Sequence, residues 1–317
     1  MIIGIFFAVA ACGLWALAFV SPVVLEEFSP ILVALGRYAA FGLLSLVLVP
    51  LMWRDLRRLK RVDWATAAIL SSIGNIVYYV LLASAIQRID VPGPTVVIGL
   101  LPLTIPLFAN WRCRELPWRD LIVPLLAIGS GLFFVNAHEY HRFALAEGLL
   151  VYAIGIGLAV ASLVSWTWYG VANTSWLRSH PYVTAAAWTV AQGVTILPLV
   201  MVGVVGWIIW NSTEASATMM ANMTNADTIG RFFLVSAIVG LGSSWLATFC
   251  WNHASRRLLI TLAGQLLVFE TIAAIIYGHV YRGEWPAVDV SLGVALLCGG
   301  VALGVRAVQN HRIQVTT

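Results

Sequence analysis

The polar residues that could do chemistry in this chain recur at helical spacing inside long apolar segments. Four of them lie at i, i+4, i+7 and i+8, on one face of a helix: Ser71, Asn75, Tyr78 and Tyr79. Two further segments carry comparable faces: Ser244, Thr248, Trp251 and Asn252 in one, and Ser162, Ser165, Trp166 and Tyr169 in the other. Such groups line a polar cavity or form hydrogen bonds between helices, and spacing alone leaves both readings open.

Two charged residues also fall within apolar segments. Glu270 lies about ten residues from either end of its segment, and Arg37 about two turns from the nearer end of its own. A charge at the centre of a bilayer costs several kcal/mol, so Glu270 is expected to be protonated, paired or exposed to water. It could couple transport to protons, bind a substrate amine, or hold helices together as a neutral carboxyl. Arg37 could bind a substrate carboxylate or form a structural pair.

Tryptophans form two groups along the chain. Nine fall near the ends of apolar segments, where indoles anchor at a membrane interface: Trp53, Trp64, Trp111, Trp118, Trp176, Trp207, Trp210, Trp251 and Trp285. The deeper ones are Trp15, Trp166, Trp168, Trp188 and Trp245. Their faces could stack on an aromatic substrate or attract its ammonium, or simply pack. Trp15 and Trp166 are the strongest candidates because they occupy matching positions in an internal repeat described below.

The composition requires that these residues be held within a membrane. Apolar residues make up 61% of the 317 residues, charged residues only 10%, and mean hydropathy is +0.91. A soluble domain carries about 25% charged residues. The excess of basic residues therefore does not indicate nucleic-acid binding. The four cysteines are scattered, so we expect neither a disulfide framework nor a metal site.

Helices of about 20 residues should cross the bilayer, and a closed barrel is disfavoured because the apolar runs are unbroken. Ten runs qualify: Ile2–Val20, Pro30–Met52, Trp64–Gln87, Val91–Asn110, Arg119–Asn136, Glu147–Gly170, Pro181–Trp210, Ile229–Asn252, Leu259–Val280 and Ala287–Ala307. Prolines 94, 102, 106 and 124 predict kinks in the fourth and fifth. With both ends in the cytoplasm, the inner segments hold 13 Lys and Arg residues and the outer ones four, as the positive-inside rule requires.

The two halves of the chain form a faint repeat. At an offset of 169, Arg88 falls on Arg257 and Glu115 on Glu284, and at 151 Trp15 falls on Trp166. The difference matches the polar insert 211–228. Five spans per repeat is an odd number, so the halves must be inverted relative to each other, an arrangement that supports alternating access. We predict repeats at 1–136 and 147–308 and a short cytoplasmic tail at 309–317.

These features resemble the drug/metabolite transporter superfamily of EamA type. The resemblance lies in the ten-span, five-plus-five inverted topology, in Pro30 and Arg37 of the second span, and in a glutamate after each repeat's fourth span, Glu115 in RCRELPW and Glu284 in YRGEWP. The stretch GLLPLTIPLFANWRCRELPWRDLIVPLLAIGSG is most similar to aromatic amino acid exporters of the YddG type. The resemblance implies an all-α fold and export of aromatic and other apolar amino acids across a bacterial inner membrane.

The predicted substrate site combines residues of both halves: Asn75, Tyr78, Tyr79, Trp15, Trp166, Ser244, Thr248 and Glu270. The alternatives are export of drugs or other small metabolites and, more distantly, an intramembrane lipid-modifying enzyme. The only candidate catalytic cluster is His138, Glu139 and His141, whose spacing fits neither a zinc helix nor a triad. No phosphate-binding loop is present, and we expect no cofactor. The expected partners are amino acids and the lipid bilayer, with the protein a monomer or weak homodimer.

Overall fold

The computed structural model describes residues 1–17, 24–25, 27–89, 92–136, 149–211, 226–283 and 285–316. All regular structure in these ranges is helical: α1 (Ile2–Ala16), α2 (Pro30–Leu56), α3 (Arg61–Ile89), α4a (Pro92–Ile98), α4b (Leu101–Cys113), α5 (Trp118–Val135), α6 (Leu149–Ser179), α7 (Ala185–Asn211), α8 (Ala226–Ser255), α9a (Ile260–Gln265), α9b (Val268–Arg282) and α10 (Val288–Thr316). Within the described ranges, nine helical segments are long and apolar enough to cross a membrane, and α1 is a shorter apolar helix. The predicted all-α membrane fold is confirmed.

Helix packing joins each half of the chain to the other. The pairs in contact include α1 with α8, α3 with α6, α2 with α7, α4b with α9a, and α5 with α10. If each helix of one half is replaced by the equivalent helix of the other half, five places along the chain, the same pairs result. The pair α3 with α6 becomes α8 with α1, and each of the other three pairs maps onto itself. Odd and even helices run in opposite directions, so the two members of each such exchange are antiparallel. This is the contact pattern of an inverted five-plus-five repeat, although the exact domain limits remain a prediction.

Two kinds of helix irregularity also recur in both halves. Wide π-helical turns occupy Ser72–Val77 in α3 and Gly240–Leu246 in α8, and an offset of 169 carries the first onto residues 241–246. The fourth helix is interrupted before Pro102, which cannot donate a backbone hydrogen bond. The ninth is interrupted at Leu266–Leu267 without a proline. Such irregular turns in membrane helices are concentrated at functional sites.

Small residues let the helices approach closely. A Cβ on Gly131 of α5 would lie 2.8 Å from the Gly293 carbonyl oxygen of α10, and one on Gly300 would lie 3.0 Å from the Pro124 carbonyl oxygen. Helices α5 and α10 therefore pack closely against each other within the chain. The face at which α1, α3, α5, α7 and α9a begin is called the N-terminal face below; its cytoplasmic location is the prediction made from charge.

Candidate functional site

Three tryptophans meet where the two halves of the bundle join. Trp15 of α1 lies 5.5 Å from Trp166 of α6 and 5.4 Å from Trp251 of α8, and Trp166 lies 6.0 Å from Trp251, between ring centroids. The ring of Tyr169 lies 5.8 Å from Trp166. The pairing of Trp15 with Trp166 predicted from the repeat is thus a direct contact. These rings form a continuous aromatic surface, which is the tryptophan cluster referred to below.

Trp251 differs from its predicted role as an interfacial anchor. Its side chain is only 1% exposed and lies within the main apolar core. Its indole Nε1–H is buried without a hydrogen-bond partner in the described part of the chain. Trp251 lies four positions before the end of α8, and that position along the helix is compatible with a membrane interface. Its side chain, however, points toward α1 and α6. A buried, unpaired indole donor is costly unless a ligand or water accepts from it.

Arg37 of α2 reaches across to the π-helical turn of α8. Its Nε donates to Ser244 Oγ at 2.7 Å, and Nη2 donates to the Ser243 carbonyl oxygen at 3.2 Å. Ser243 Oγ in turn donates to the Leu14 carbonyl oxygen of α1, immediately before Trp15. Arg37 therefore has the structural partner that the sequence left open, and that partner is Ser244, itself predicted to bind substrate.

Glu270 lies one turn beyond the interruption in the ninth helix. Near it, Cys12 Sγ of α1 donates to the Leu266 carbonyl oxygen at 3.4 Å. The Glu270 carboxylate is close enough to interact electrostatically with Arg37, Tyr78 and the Cys12 thiol. Among the described residues, however, it forms neither a hydrogen bond nor an ion pair within the 4.0 Å limit. A carboxylate thus faces a cation deep in the bundle without contacting it.

The polar face of α3 lies between α6 and α2. Ser162 Oγ donates to the Tyr78 carbonyl oxygen at 2.9 Å, so a hydroxyl of α6 satisfies the backbone beside the π-helical turn. Asn75 Nδ2 donates to the Ser71 carbonyl oxygen of its own helix at 3.2 Å. The Tyr79 ring lies 6.5 Å from that of Tyr38. These side chains thus lie in the central region, with part of their hydrogen-bonding capacity used by the helices.

Thr248, the remaining predicted site residue, lies on α8 one turn after Ser244 and is buried. The eight predicted residues therefore belong to α1, α3, α6, α8 and α9b, of which α1 contacts α8 and α9b, and α6 contacts α3 and α8. Arg37 joins them through its bond to Ser244, Tyr38 through its contact with Tyr79, and Trp251 through its contacts with Trp15 and Trp166. Trp251 and Arg37 could have been placed there from the sequence only with knowledge of the helix rotations.

A second polar cluster lies nearer the N-terminal face and is fully buried. Asn173 Oδ1 accepts from Trp188 Nε1 at 2.8 Å and from Gln192 Nε2 at 3.2 Å, while Asn173 Nδ2 donates to Asn252 Oδ1 at 2.9 Å. Asn252 Nδ2 donates to Thr189 Oγ1 and Gln192 Oε1. Because almost every member is paired within the cluster, this amide network holds α6, α7 and α8 together. Sequence reasoning picked out Asn252 and Trp188 among its members.

At the N-terminal face itself, Glu115 caps α9a. Its Oε1 accepts from Ile260 N at 3.0 Å and its Oε2 accepts from Thr261 N at 2.8 Å and Thr261 Oγ1 at 3.0 Å. Arg178 Nη1 of α6 donates to the same carboxylate at 2.6 Å, and Arg178 Nη2 donates to the Leu258 carbonyl oxygen. The glutamate after the fourth span thus ties the first half of the chain to the second. Its repeat partner Glu284 lies outside the described residues.

His138, Glu139 and His141 lie outside the described residues. Across the described ranges, no group of three His, Cys, Asp or Glu side chains is arranged to hold a metal.

This bundle, with polar and aromatic groups of both halves at its centre, is that of a membrane transporter. The chain belongs to the EamA-like transporter family, whose model matches residues 2–137. It is 37% identical over 314 residues to the inner membrane protein YtfF of Escherichia coli (strain K12), covering 97% of this chain and 96% of that protein. A solved crystal structure, 17% identical, superposes with a TM-score of 0.72 over 97% of this chain and 98% of the other, and shows the fold alone. The chain is a multi-pass protein of the inner membrane.

Proposed function

We propose that this transporter exports amino acids, with aromatic and other apolar ones favoured. Two observations support the proposal: the tryptophan cluster at the junction of the two halves, and the electrostatic interaction of Arg37 with Glu270 without an ion pair between them. Aromatic rings offer apolar area and favourable stacking to an apolar side chain. Charged and hydroxyl side chains can form hydrogen bonds with the amino and carboxyl groups of a substrate. An apolar amino acid combines the same two features.

The helix irregularities support alternating access as the mechanism. Three of these irregularities adjoin predicted site residues: the π-helical turn of α3 contains Asn75, that of α8 contains Ser244, and the interruption of the ninth helix comes one turn before Glu270. Interrupted helices in transporters allow one bundle to rock against the other around a site near the midplane. Exchange of the two halves' conformations would then turn a site open to one face into a site open to the other.

The energy source is the solute gradient or protons, because the sequence contains no phosphate-binding loop. Proton coupling would require a titratable group in the pathway, and Glu270 is the candidate. We infer no enzymatic activity and no cofactor requirement. The competing function is export of drugs or other small metabolites, which would not require a cation and an anion on opposite sides of the site.

The test is transport by the purified protein in proteoliposomes. The panel comprises tryptophan, phenylalanine, leucine, a lipophilic cationic drug and a sugar, each with and without a pH gradient. We expect saturable transport of the three amino acids, and transport of the drug alone would overturn the assignment. If Glu270→Gln responds to the pH gradient as the unmodified protein does, proton coupling through Glu270 is wrong.

A further inference from the structure

Arg37 and Glu270 are two half-buried opposite charges that do not touch each other, and this calls for an explanation. Arg37 lies seven residues into α2, and Glu270 lies ten residues into the ninth helix from the opposite face, so both are at membrane depth. Removing a charge from water costs several kcal/mol, and a direct ion pair is the usual compensation. Here the two groups interact electrostatically but lie beyond the 4.0 Å range of an ion pair.

The hydrogen bonds of Arg37 fix its guanidinium against the π-helical turn of α8. Nε and Nη2 donate to the π-helical turn of α8, and that turn is itself fixed to α1 through Ser243 Oγ. Nη1 donates to no group in the described ranges, so one edge of the planar guanidinium retains free donors. The cation is therefore fixed in orientation but has unused donors.

The Glu270 carboxylate has the complementary property. It has no hydrogen-bond donor among the described residues, whereas the neighbouring Cys12 thiol donates to a backbone carbonyl instead. Tyr78 interacts electrostatically with both Arg37 and Glu270 and so belongs to the same central region. The anion, like the cation, thus keeps unused hydrogen-bonding capacity within the described ranges.

We propose that Arg37 and Glu270 form a zwitterion clamp, in which Arg37 binds the α-carboxylate and Glu270 the α-ammonium of an amino acid. An α-ammonium and α-carboxylate joined through one carbon, with a charge-assisted hydrogen bond of about 2.8 Å at each end, bridge a gap of about 8 Å. Such a ligand pairs both charges at once, whereas direct contact would close the site. The tryptophan cluster would then take the side chain. This inference rests on the proposed function, and it defines the substrate class as free α-amino acids with both groups unmodified.

Four ligands that differ only in these two groups provide the test: L-phenylalanine, phenethylamine, 3-phenylpropanoate and L-phenylalaninamide. Each is measured as a competitor of radiolabelled phenylalanine binding to the purified protein. In the unmodified protein, we expect each analogue to bind about 10- to 100-fold more weakly than phenylalanine, the ratio typical of losing one charge-assisted hydrogen bond. Equal binding of the zwitterion and either truncated analogue would overturn the clamp, and this comparison needs no variant.

Variants then assign each charge. Arg37→Gln should weaken the binding of phenylalanine about 10- to 100-fold but change that of phenethylamine, which has no carboxylate, by less than about threefold. Glu270→Gln should weaken the binding of phenylalanine to the same extent but spare that of 3-phenylpropanoate, which has no ammonium. Arg37→Lys keeps the charge without the fork and should fall between. The matched control is Arg231→Gln, which removes a cation paired with Glu27 at the face opposite the N-terminal face. It should leave the affinity for all four ligands unchanged.

The outcomes separate the two proposals. If both central variants weaken all four ligands in parallel, the residues act by holding the helices and the clamp is wrong, although amino acid export stands. If the unmodified protein binds and transports no amino acid, the proposed function itself fails. Size-exclusion profiles and thermal unfolding show which variants keep the fold. Should neither variant fold, the analogue series on the unmodified protein still decides the matter.

Discussion

Removal of the Glu115 carboxylate should lower the free energy of unfolding more than removal of an exposed charge at the N-terminal face. The carboxylate is 6% exposed and accepts four hydrogen bonds, from Ile260 N, Thr261 N, Thr261 Oγ1 and Arg178 Nη1. Leu259, the residue at the cap position of α9a, cannot cap the helix with its own side chain. Glu115 supplies that cap from a distant part of the chain.

The size of the effect follows from these contacts. Loss of a helix cap typically costs about 1 kcal/mol, and a buried donor left without an acceptor costs about 1–3 kcal/mol. The ion pair adds less than a fully buried one because the Arg178 side chain is 32% exposed. We therefore expect Glu115→Ala to lower the free energy of unfolding by about 3–5 kcal/mol, as for other buried groups whose partner is removed. Glu115→Gln keeps one acceptor oxygen and should lose about half as much.

The assay is reversible unfolding in mixed micelles, with thermal unfolding of the same samples as a second measure. Asp120→Asn is the matched control, because Asp120 is a more exposed carboxylate on the same face, 3.6 Å from Arg119. That exposed pair should contribute less than about 1 kcal/mol. If Glu115→Ala and Asp120→Asn have equal effects, the capping role of Glu115 is wrong.

Three further predictions concern packing, the amide network and topology. Gly131→Ala should destabilise the fold by about 1–3 kcal/mol because its Cβ would meet the backbone of α10. Gly129→Ala on the same helix should not, because its Cβ would have only one contact, at 3.7 Å. Comparison of the free energies of unfolding of the two variants tests this. Asn252→Ala leaves Asn173 Nδ2 and Gln192 Oε1 unpaired, whereas Thr189 keeps its hydrogen bond to the Ala185 carbonyl oxygen; the change should cost about 1–3 kcal/mol per orphaned group, and a variant as stable as the unmodified protein would contradict that. In a Cys298→Ser background, the exposed Cys113 should react with a membrane-impermeant maleimide only from the cytoplasm, and labelling of intact cells from outside would reverse the topology.

Much of the architecture follows from hydropathy, because a bilayer demands runs of apolar residues whatever their packing. Each of the ten predicted spans corresponds to a helix in the described ranges; most ends shift by four residues or fewer, but α6 and α10 each extend nine residues beyond the predicted end. Proline explains the interruption of the fourth helix, whereas nothing in the local sequence predicts that of the ninth. There Gly264 packs against Ile105 and Pro106 of α4b, so its geometry depends on a helix distant in the chain.

The central residues were predictable in position but not in pairing. An offset of 169 aligns Asn75 with Ser244, yet Asn75 bonds within its own helix whereas Ser244 accepts from Arg37. Trp251 was assigned to the interface because its distance from a helix end fits, and helix rotation places it in the core instead. Depth can be read from one sequence, but the partner of a buried group depends on contacts between segments distant in the chain, 254 residues apart for Cys12 and Leu266.

The most direct test of the central claim is equilibrium binding of radiolabelled L-phenylalanine to the purified protein. The account predicts saturable binding that unlabelled tryptophan and leucine displace and a sugar does not. It also predicts weaker binding in Trp166→Ala, which removes the middle of the tryptophan cluster. Saturable binding that Trp166→Ala leaves unchanged would place the site elsewhere, and no saturable binding of any amino acid would contradict the assignment.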